Sequence, residues 1–289
     1  MELRHHATRK GRLSSFLKEE LKMSTGLVNR LKWGAFIQVN GVAQYTDYPV
    51  EIGDVITVLL DEPAVEYPAQ DGDLSILYED EHILAVDKPA GMLIHPSRSK
   101  NDGTLANFVA GYYEKTKQKC AYHPVTRLDR DTYGVVLLAK NSHIHALLQS
   151  ADLQKTYHAL VFGGPQEPEG IIDAPIDRRP KPSLLRFVGP EGKPSVTEFQ
   201  VLCRKAGYSK LQLWPITGRT HQLRVHCSHM GYPILGDPQY GNTQSDAMSR
   251  EMNLQHQLLQ AYMLEFVHPI TGKKMVITSQ MQIYNEPAE

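Results

Sequence analysis

The segment Arg127-Leu128-Asp129-Arg130-Asp131-Thr132-Tyr133-Gly134 sets an acid between two guanidinium groups, directly ahead of the apolar run Val135-Val136-Leu137-Leu138-Ala139. A polar loop that feeds a buried strand has a rigid support, so charged groups on it can be held to narrow tolerances. A cation within a few ångströms favours the ionised form of a carboxyl group, and Asp129 is therefore expected as a carboxylate. An ionised acid in such a place can serve as nucleophile or base. Taken alone, the same residues also fit a surface salt bridge.

A second set of chemically able residues begins at Arg219-Thr220-His221-Gln222-Leu223-Arg224. Thr220 can cap a helix that runs to about His229 and stops before Gly231. Helical spacing would put His221, Arg224 and Ser228 on one face and Leu223, Cys227 and Met230 on another. Arg224 is then the candidate ionic partner of Asp129 and Arg219 a candidate contact for an external anion, although spacing also allows the two roles to be exchanged. His221, His226, His229 and Cys227 superficially suggest zinc, but ligands must converge and this spacing spreads them around a helix, so no metal is expected. Cys120, Cys203 and Cys227 form no Cys-x-x-Cys pair, which argues against a disulfide scaffold or structural zinc site. No Gly-rich dinucleotide loop or Walker-type Gly-Lys-Thr is present, so no cofactor is expected.

The elements that must carry these residues are of α+β type. Beyond residue 70, β-rich runs at 83–86, 135–139, 159–162, 211–214 and 275–277 alternate with helical stretches and Gly/Pro turns. Before it lies a smaller module. Leu13, Phe16, Leu17 and Leu21 follow one helical face, and Ser24 can cap a second helix with Leu27, Val28 and Leu31 that ends near Gly34. A strand at 36–39, the hairpin turn Asn40-Gly41 and a strand at 55–60 after Gly53-Asp54 complete it. Residues 61–73, with Pro63, Pro68 and several acids, read as a linker. The expected domains are therefore 1–70 and 71–289.

Net charge is −1, with 41% hydrophobic and 22% charged residues, as in ordinary globular proteins. The distribution is uneven. Residues 1–40 hold eight Lys/Arg against three Asp/Glu, residues 178–224 hold ten against two, and residues 61–82 hold eight acids and no Lys or Arg. Two basic blocks split by an acidic connector suit contact with a polyanion in two places. There is no apolar run long enough to span a membrane and no apolar stretch after Met1-Glu2-Leu3-Arg4-His5-His6, so a cytoplasmic protein without a secretory signal is expected.

The segment around Asp129 resembles the Arg-Leu-Asp-x-x-Thr-x-Gly motif of the RluA family of RNA pseudouridine synthases. Further collinear resemblances run through Glu79–Met92 with its Lys88-Pro89-Ala90-Gly91 turn, Lys155-Thr156-Tyr157, Pro215–His226 and Gly231–Asp237. They cover about residues 74–280. The two basic helices and hairpin over about residues 12–60 resemble an S-four type RNA-binding domain, with Ser24-Thr25 where that type usually has Ser-Arg.

This resemblance implies a pseudouridine synthase fold, with a mixed, mostly antiparallel sheet, flanking helices and a small N-terminal RNA-binding domain. It implies that Asp129 is the essential carboxylate, that Arg127 enters the space left by an everted uridine, and that Tyr157 packs on the uracil, with Leu128 and Arg224 also at the base. Arg130, Lys88, Arg12, Lys22, Arg30 and Lys32, with Arg219, are the expected RNA contacts. Two positions depart from the family pattern: Thr126 replaces the usual His and Tyr133 the usual Ser. The appended module favours ribosomal over transfer RNA by analogy. A monomer with no obligate protein partner is expected. A transfer RNA enzyme, or an RNA-binding assembly factor with a secondary or inactive isomerase site, is the alternative.

Overall fold

The computed structural model describes residues 2–60, 67–97, 100–180, 183 and 185–284. The N-terminal unit folds around Leu13, Phe16, Leu17, Leu27, Val28, Leu31 and Ile56. Its first helix, Leu13–Ser15, widens into a π-helix over Phe16–Glu20, where Leu21 N donates to Phe16 O at 2.9 Å. Ser24 Oγ accepts from Leu27 N at 3.2 Å and starts the helix Thr25–Leu31, as expected. The reversal after that helix falls on Ala35 (φ 57°) and not on Gly34. Gly34 is required for space instead, because a Cβ there would sit 2.1 Å from the Phe36 ring. Asn40 and Gly41 both take positive φ, 50° and 81°, and form the expected hairpin turn.

The strand Glu2–His6 is an addition to the sequence reading. It pairs antiparallel with Val55–Leu59, which in turn pairs with Ile37–Val39. Only Leu3 of its five residues is buried, so no alternation marked it.

Residues 61–66 of the expected linker lie outside the described residues, and residues 67–73 are no free linker. Tyr67 packs edge-on against Tyr122, and Gln70 N donates to Asn107 O at 3.1 Å. A Cβ at Gly111 would lie 2.0 Å from Gln70 O, so a glycine is what lets this segment lie against the helix. The described part of the expected linker thus finds partners at Tyr122, Asn107 and Gly111.

That domain is built on a ten-stranded sheet. Its strands include β1 Ile76–Glu79, β2 Ile83–Lys88, β3 Tyr133–Ala139, β4 Gln154–Phe162, β5 Glu169–Asp173, β6 Val196–Lys205, β7 Tyr208–Pro215, β8 Leu259–Val267 and β9 Lys274–Thr278. The order is β5-β6-β7-β4-β8-β3-β2-β1, with β9 beside β8 and the short strand His123–Pro124 beside β3. Only β3 and β8 pair in parallel, so the sheet is mixed and mostly antiparallel. The helices are α1 Leu105–Lys115, α2 Ser142–Gln149, α3 Gln222–His229 and α4 Thr243–Glu251.

All seven residues of β3 are buried because both faces of the sheet are covered there. Val135, Leu137 and Ala139 pack with Ile144 and Leu148 of α2, whereas Val136 and Leu138 pack with Leu105, Val109 and Tyr113 of α1. The loop ahead of β3 thus rests on the most enclosed part of the molecule.

Candidate active site

The loop 127–132 is pinned from below before any ligand arrives. Thr132 N donates to Asp129 O at 3.2 Å, Gln257 Nε2 donates to Thr132 Oγ1 at 2.9 Å, and Lys88 Nζ donates to Arg130 O at 3.0 Å. Gly134 has φ 108°, and a Cβ there would fall 2.2 Å from Ala261 O of the parallel strand β8. This glycine is what allows β3 and β8 to approach behind the acid.

Above the loop lies a cleft of about 780 Å³ whose walls include Leu128, Asp129, Lys155, Tyr157, His221 and Arg224, with Arg127 and Arg219 also at its edge. The Asp129 side chain is 30% exposed and opens into it. Arg224 Nη1 lies 3.1 Å from Asp129 Oδ2 and His221 Nε2 3.8 Å from the same oxygen. Arg224 is itself locked: its Nε and Nη2 fork the buried Asp237 at 2.7 and 2.8 Å, and Nη2 also reaches Gln239 Oε1 at 2.8 Å. Burial opposes the charge on Arg224, but Asp237 and Asp129 outweigh it and raise its pKa. A fully enclosed carboxylate therefore fixes the arginine that faces the exposed one.

His221 stands at φ 58°, a left-handed conformation uncommon for a side chain of its size, and its Nδ1 lies 2.8 Å from Tyr240 Oη. Burial lowers the pKa of His221 while Asp129 pulls the other way, with a net fall below the ordinary value. Tyr157 sits at a bulge in β4, and burial, then the Asp129 charge, raises its phenol pKa. Lys155 is pulled down by burial.

Several sequence expectations change here. Thr220 does not cap α3. His221 is the N-cap and contributes no capping hydrogen bond from its side chain, while Gln222 Oε1 reaches back to accept from Arg219 N at 3.0 Å and Thr217 Oγ1 at 2.8 Å. Arg130 does not flank the acid with its charge, because its guanidinium forks Asp131 at 3.0 and 2.8 Å. Lys88 cannot meet RNA: its side chain is fully buried and donates to Pro89 O, Met92 O and Arg130 O. Burial brings its pKa down to about 8 against the pull of Asp131 and Asp129.

Arg127 is exposed on the rim and makes no ion pair among the described residues. It lies near His95, whose pKa falls through burial and then through that charge. Arg219 is exposed, with Nε donating to Pro194 O at 3.2 Å. Arg12, Lys22 and Arg30 are exposed on the N-terminal unit, and Lys32 lies over the Trp33 ring; none of these lines the cleft. Of the zinc-like set, His226 bonds Thr197 Oγ1 and Ala174 O, Cys227 faces the core and His229 faces solvent.

The two departures from the family pattern find separate uses. Thr126 Oγ1 accepts from Leu137 N at 2.9 Å and ties the loop to β3. Tyr133 turns away from the cleft, its hydroxyl donating to Ile283 O at 2.8 Å. Sequence reasoning gave no role to Asp237, Gln239, Tyr240 or Lys155. The only signal for Asp237 was its place at the end of the Gly231–Asp237 segment.

A partly exposed carboxylate backed by a buried arginine, beside an aromatic wall, can work on a flat group turned into the cleft. The family of RNA pseudouridylate synthases matches residues 82–229. The chain is 37% identical over 263 residues to the uncharacterized RNA pseudouridine synthase YjbO of Bacillus subtilis, covering 89% of this chain and 90% of that one. It is 32% identical over 297 residues to the ribosomal large subunit pseudouridine synthase C of Vibrio cholerae, covering 96% and 91%. The human RNA pseudouridylate synthase domain containing 1 superposes with a TM-score of 0.59 at 29% identity, over 74% of this chain and 86% of that one. With the fold, the cleft and these likenesses together, the chain belongs to the RluA family of RNA pseudouridine synthases and is an isomerase.

Proposed function

We propose that this isomerase acts on uridine of large-subunit ribosomal RNA, with Asp129 as its essential carboxylate. The observation that carries the reading is the Asp129 carboxylate, open to the cleft and held 3.1 Å from Arg224, whose own position is set by the buried Asp237. The reaction breaks the bond from uracil N1 to the ribose, turns the base over and joins C5 to the same sugar carbon, while C5 loses a proton and N1 gains one. Atoms balance without a cofactor.

A base within a duplex cannot reach Asp129, so the uridine is everted at a cost of about a few kcal/mol. Arg127, exposed and free of acid partners among the described residues, is placed to fill the gap by stacking. Tyr157 offers a face to the uracil, and its raised pKa keeps it protonated at neutral pH, which favours packing over service as a base. The similarity to a Vibrio cholerae protein named for the ribosomal large subunit supports ribosomal RNA as the target. The exposed cations of the N-terminal unit support its reading as an S-four type RNA-binding domain.

Release of tritium from uracil C5 tests this in one assay. The parent protein should release label from large-subunit ribosomal RNA and not from transfer RNA, and Asp129→Asn should lower the rate by roughly 10⁴-fold, as loss of an essential group does. Release from transfer RNA alone would overturn the target, undiminished release by Asp129→Asn would overturn the role of the acid, and no release from any RNA would favour an RNA-binding assembly role.

A further inference from the structure

The N-terminal unit carries two aromatic rings that its core does not use. Trp33 is 75% exposed and Tyr45 67% exposed, and their rings meet edge to face with centroids 6.4 Å apart. They come from separate turns, each fixed by the backbone. Gly34 N donates to Leu31 O at 3.3 Å and the Phe36 ring packs under Gly34; Tyr48 N donates to Tyr45 O at 3.0 Å and Ser14 N to Thr46 O at 2.8 Å. Lys32 Nζ lies 4.9 Å from the Trp33 ring centroid. An exposed indole and phenol on fixed supports leave a large apolar area in water that folding does not explain.

The charge at the ring and on the rest of the unit identifies the occupant. Three of the eight cations in residues 1–40, Arg4, Arg9 and Lys10, are paired with acids. Arg12, Lys18, Lys22 and Lys32 have no acid partner among the described residues. A flat aromatic surface with the unpaired Lys32 over it, on a unit that carries further unpaired cations, is the chemistry that takes an unpaired nucleobase with its phosphates, whereas a protein surface of apolar side chains would gain nothing from the cations. We infer that Trp33 and Tyr45, with Lys32, form a stacking platform for an unpaired base of single-stranded or looped RNA, outside the catalytic cleft. The inference rests on RNA being the substrate and adds a site that grips bases, rather than phosphates alone, on the appended unit.

Fluorescence tests it in the full chain. Trp33 and Trp214 are the two tryptophans, so Trp214→Phe leaves Trp33 as the sole indole reporter. A short single-stranded oligouridylate should quench that emission, while inorganic polyphosphate, a polyanion without bases, should not. Trp33→Ala should weaken oligouridylate binding roughly 5- to 100-fold and raise KM with kcat unchanged, Trp33→Phe should restore most of it, and polyphosphate binding should stay the same in all three. Equal quenching by polyphosphate, or oligouridylate binding by Trp33→Ala as tight as the parent's, would overturn the platform. Asp129→Asn in the same background should abolish tritium release and leave quenching intact, which separates failure of the platform from failure of the isomerase reading.

Discussion

Beneath the cleft, Arg224 and Lys88 are enclosed and held by protein oxygens: two carboxylates and an amide for the arginine, three carbonyls for the lysine. On the N-terminal unit, Arg12, Lys18 and Lys22 reach into water with no acid partner among the described residues. The same charge is fixed in one region and left open in the other. A group that must face one carboxylate through a reaction is useful only if it cannot move, and that needs a second, buried anion to hold it. A group that meets a long polyanion is useful only if no acid of its own competes for it.

This contrast can be broken by substitution. Arg224→Gln leaves Asp237 buried with an uncompensated charge and should cost about 4 kcal/mol in a urea melt, with activity lost as well. The double variant Arg224→Met with Asp237→Leu should recover most of that stability and none of the activity, which separates the structural pair from its use. Lys88→Met strips the donor from three part-buried carbonyls, including Arg130 O in the loop that carries the acid, and should cost about 2 kcal/mol. A loss below about 0.5 kcal/mol would show that water replaces the ammonium there.

Acid sharpens the comparison, because buried neutral histidines belong to the larger domain. His158, buried and stacked on Tyr262 at 3.9 Å, has its pKa lowered to about 4 by burial and then by Lys210. Between pH of about 4 and 6.5 the unfolded chain binds this proton and the folded chain does not, so stability falls as pH drops through that window. After allowance for solvent screening the fall should be about 2 kcal/mol, and His158→Gln should remove it, as melts at two pH values would show. The smallest effect is expected at the open cations. Arg12→Gln with Lys22→Gln should leave stability within about 0.5 kcal/mol and flatten the slope of log affinity for RNA against log salt by about 0.7 for each phosphate no longer neutralised.

The acid and its strand are legible in the sequence because their information is local. Arg127 to Gly134 and the apolar run that follows lie together in the chain, and burial on both faces leaves an unbroken hydrophobic signature. The hairpin at Asn40-Gly41 and the Ser24 cap are legible for the same reason. What was hidden depends on partners remote in sequence. Arg130 reads as a neighbour of Asp129, yet its planar fork fits Asp131, whereas the expected partner Arg224, 95 positions away, does reach the acid. Lys88 reads as a surface charge, and only the folded turn shows three carbonyls converging on it. Thr220 has the right chemistry for a cap, but the left-handed turn at His221 makes that residue the N-cap, and no side chain caps the helix there.

The parallel pairing of Gly134 with Ala261 has a consequence for synthesis. The strand behind Asp129 has β2 on one side from the start but gains its second neighbour only after some 125 further residues have been made, and Gln257, which holds Thr132, comes equally late. Pairings of such long sequence separation form slowly, because the intervening loop must close before they stabilise anything. A nascent chain still on the ribosome and short of residue 260 therefore holds its acid on an unfinished support, and isomerase competence should begin only when residues 257–261 have emerged.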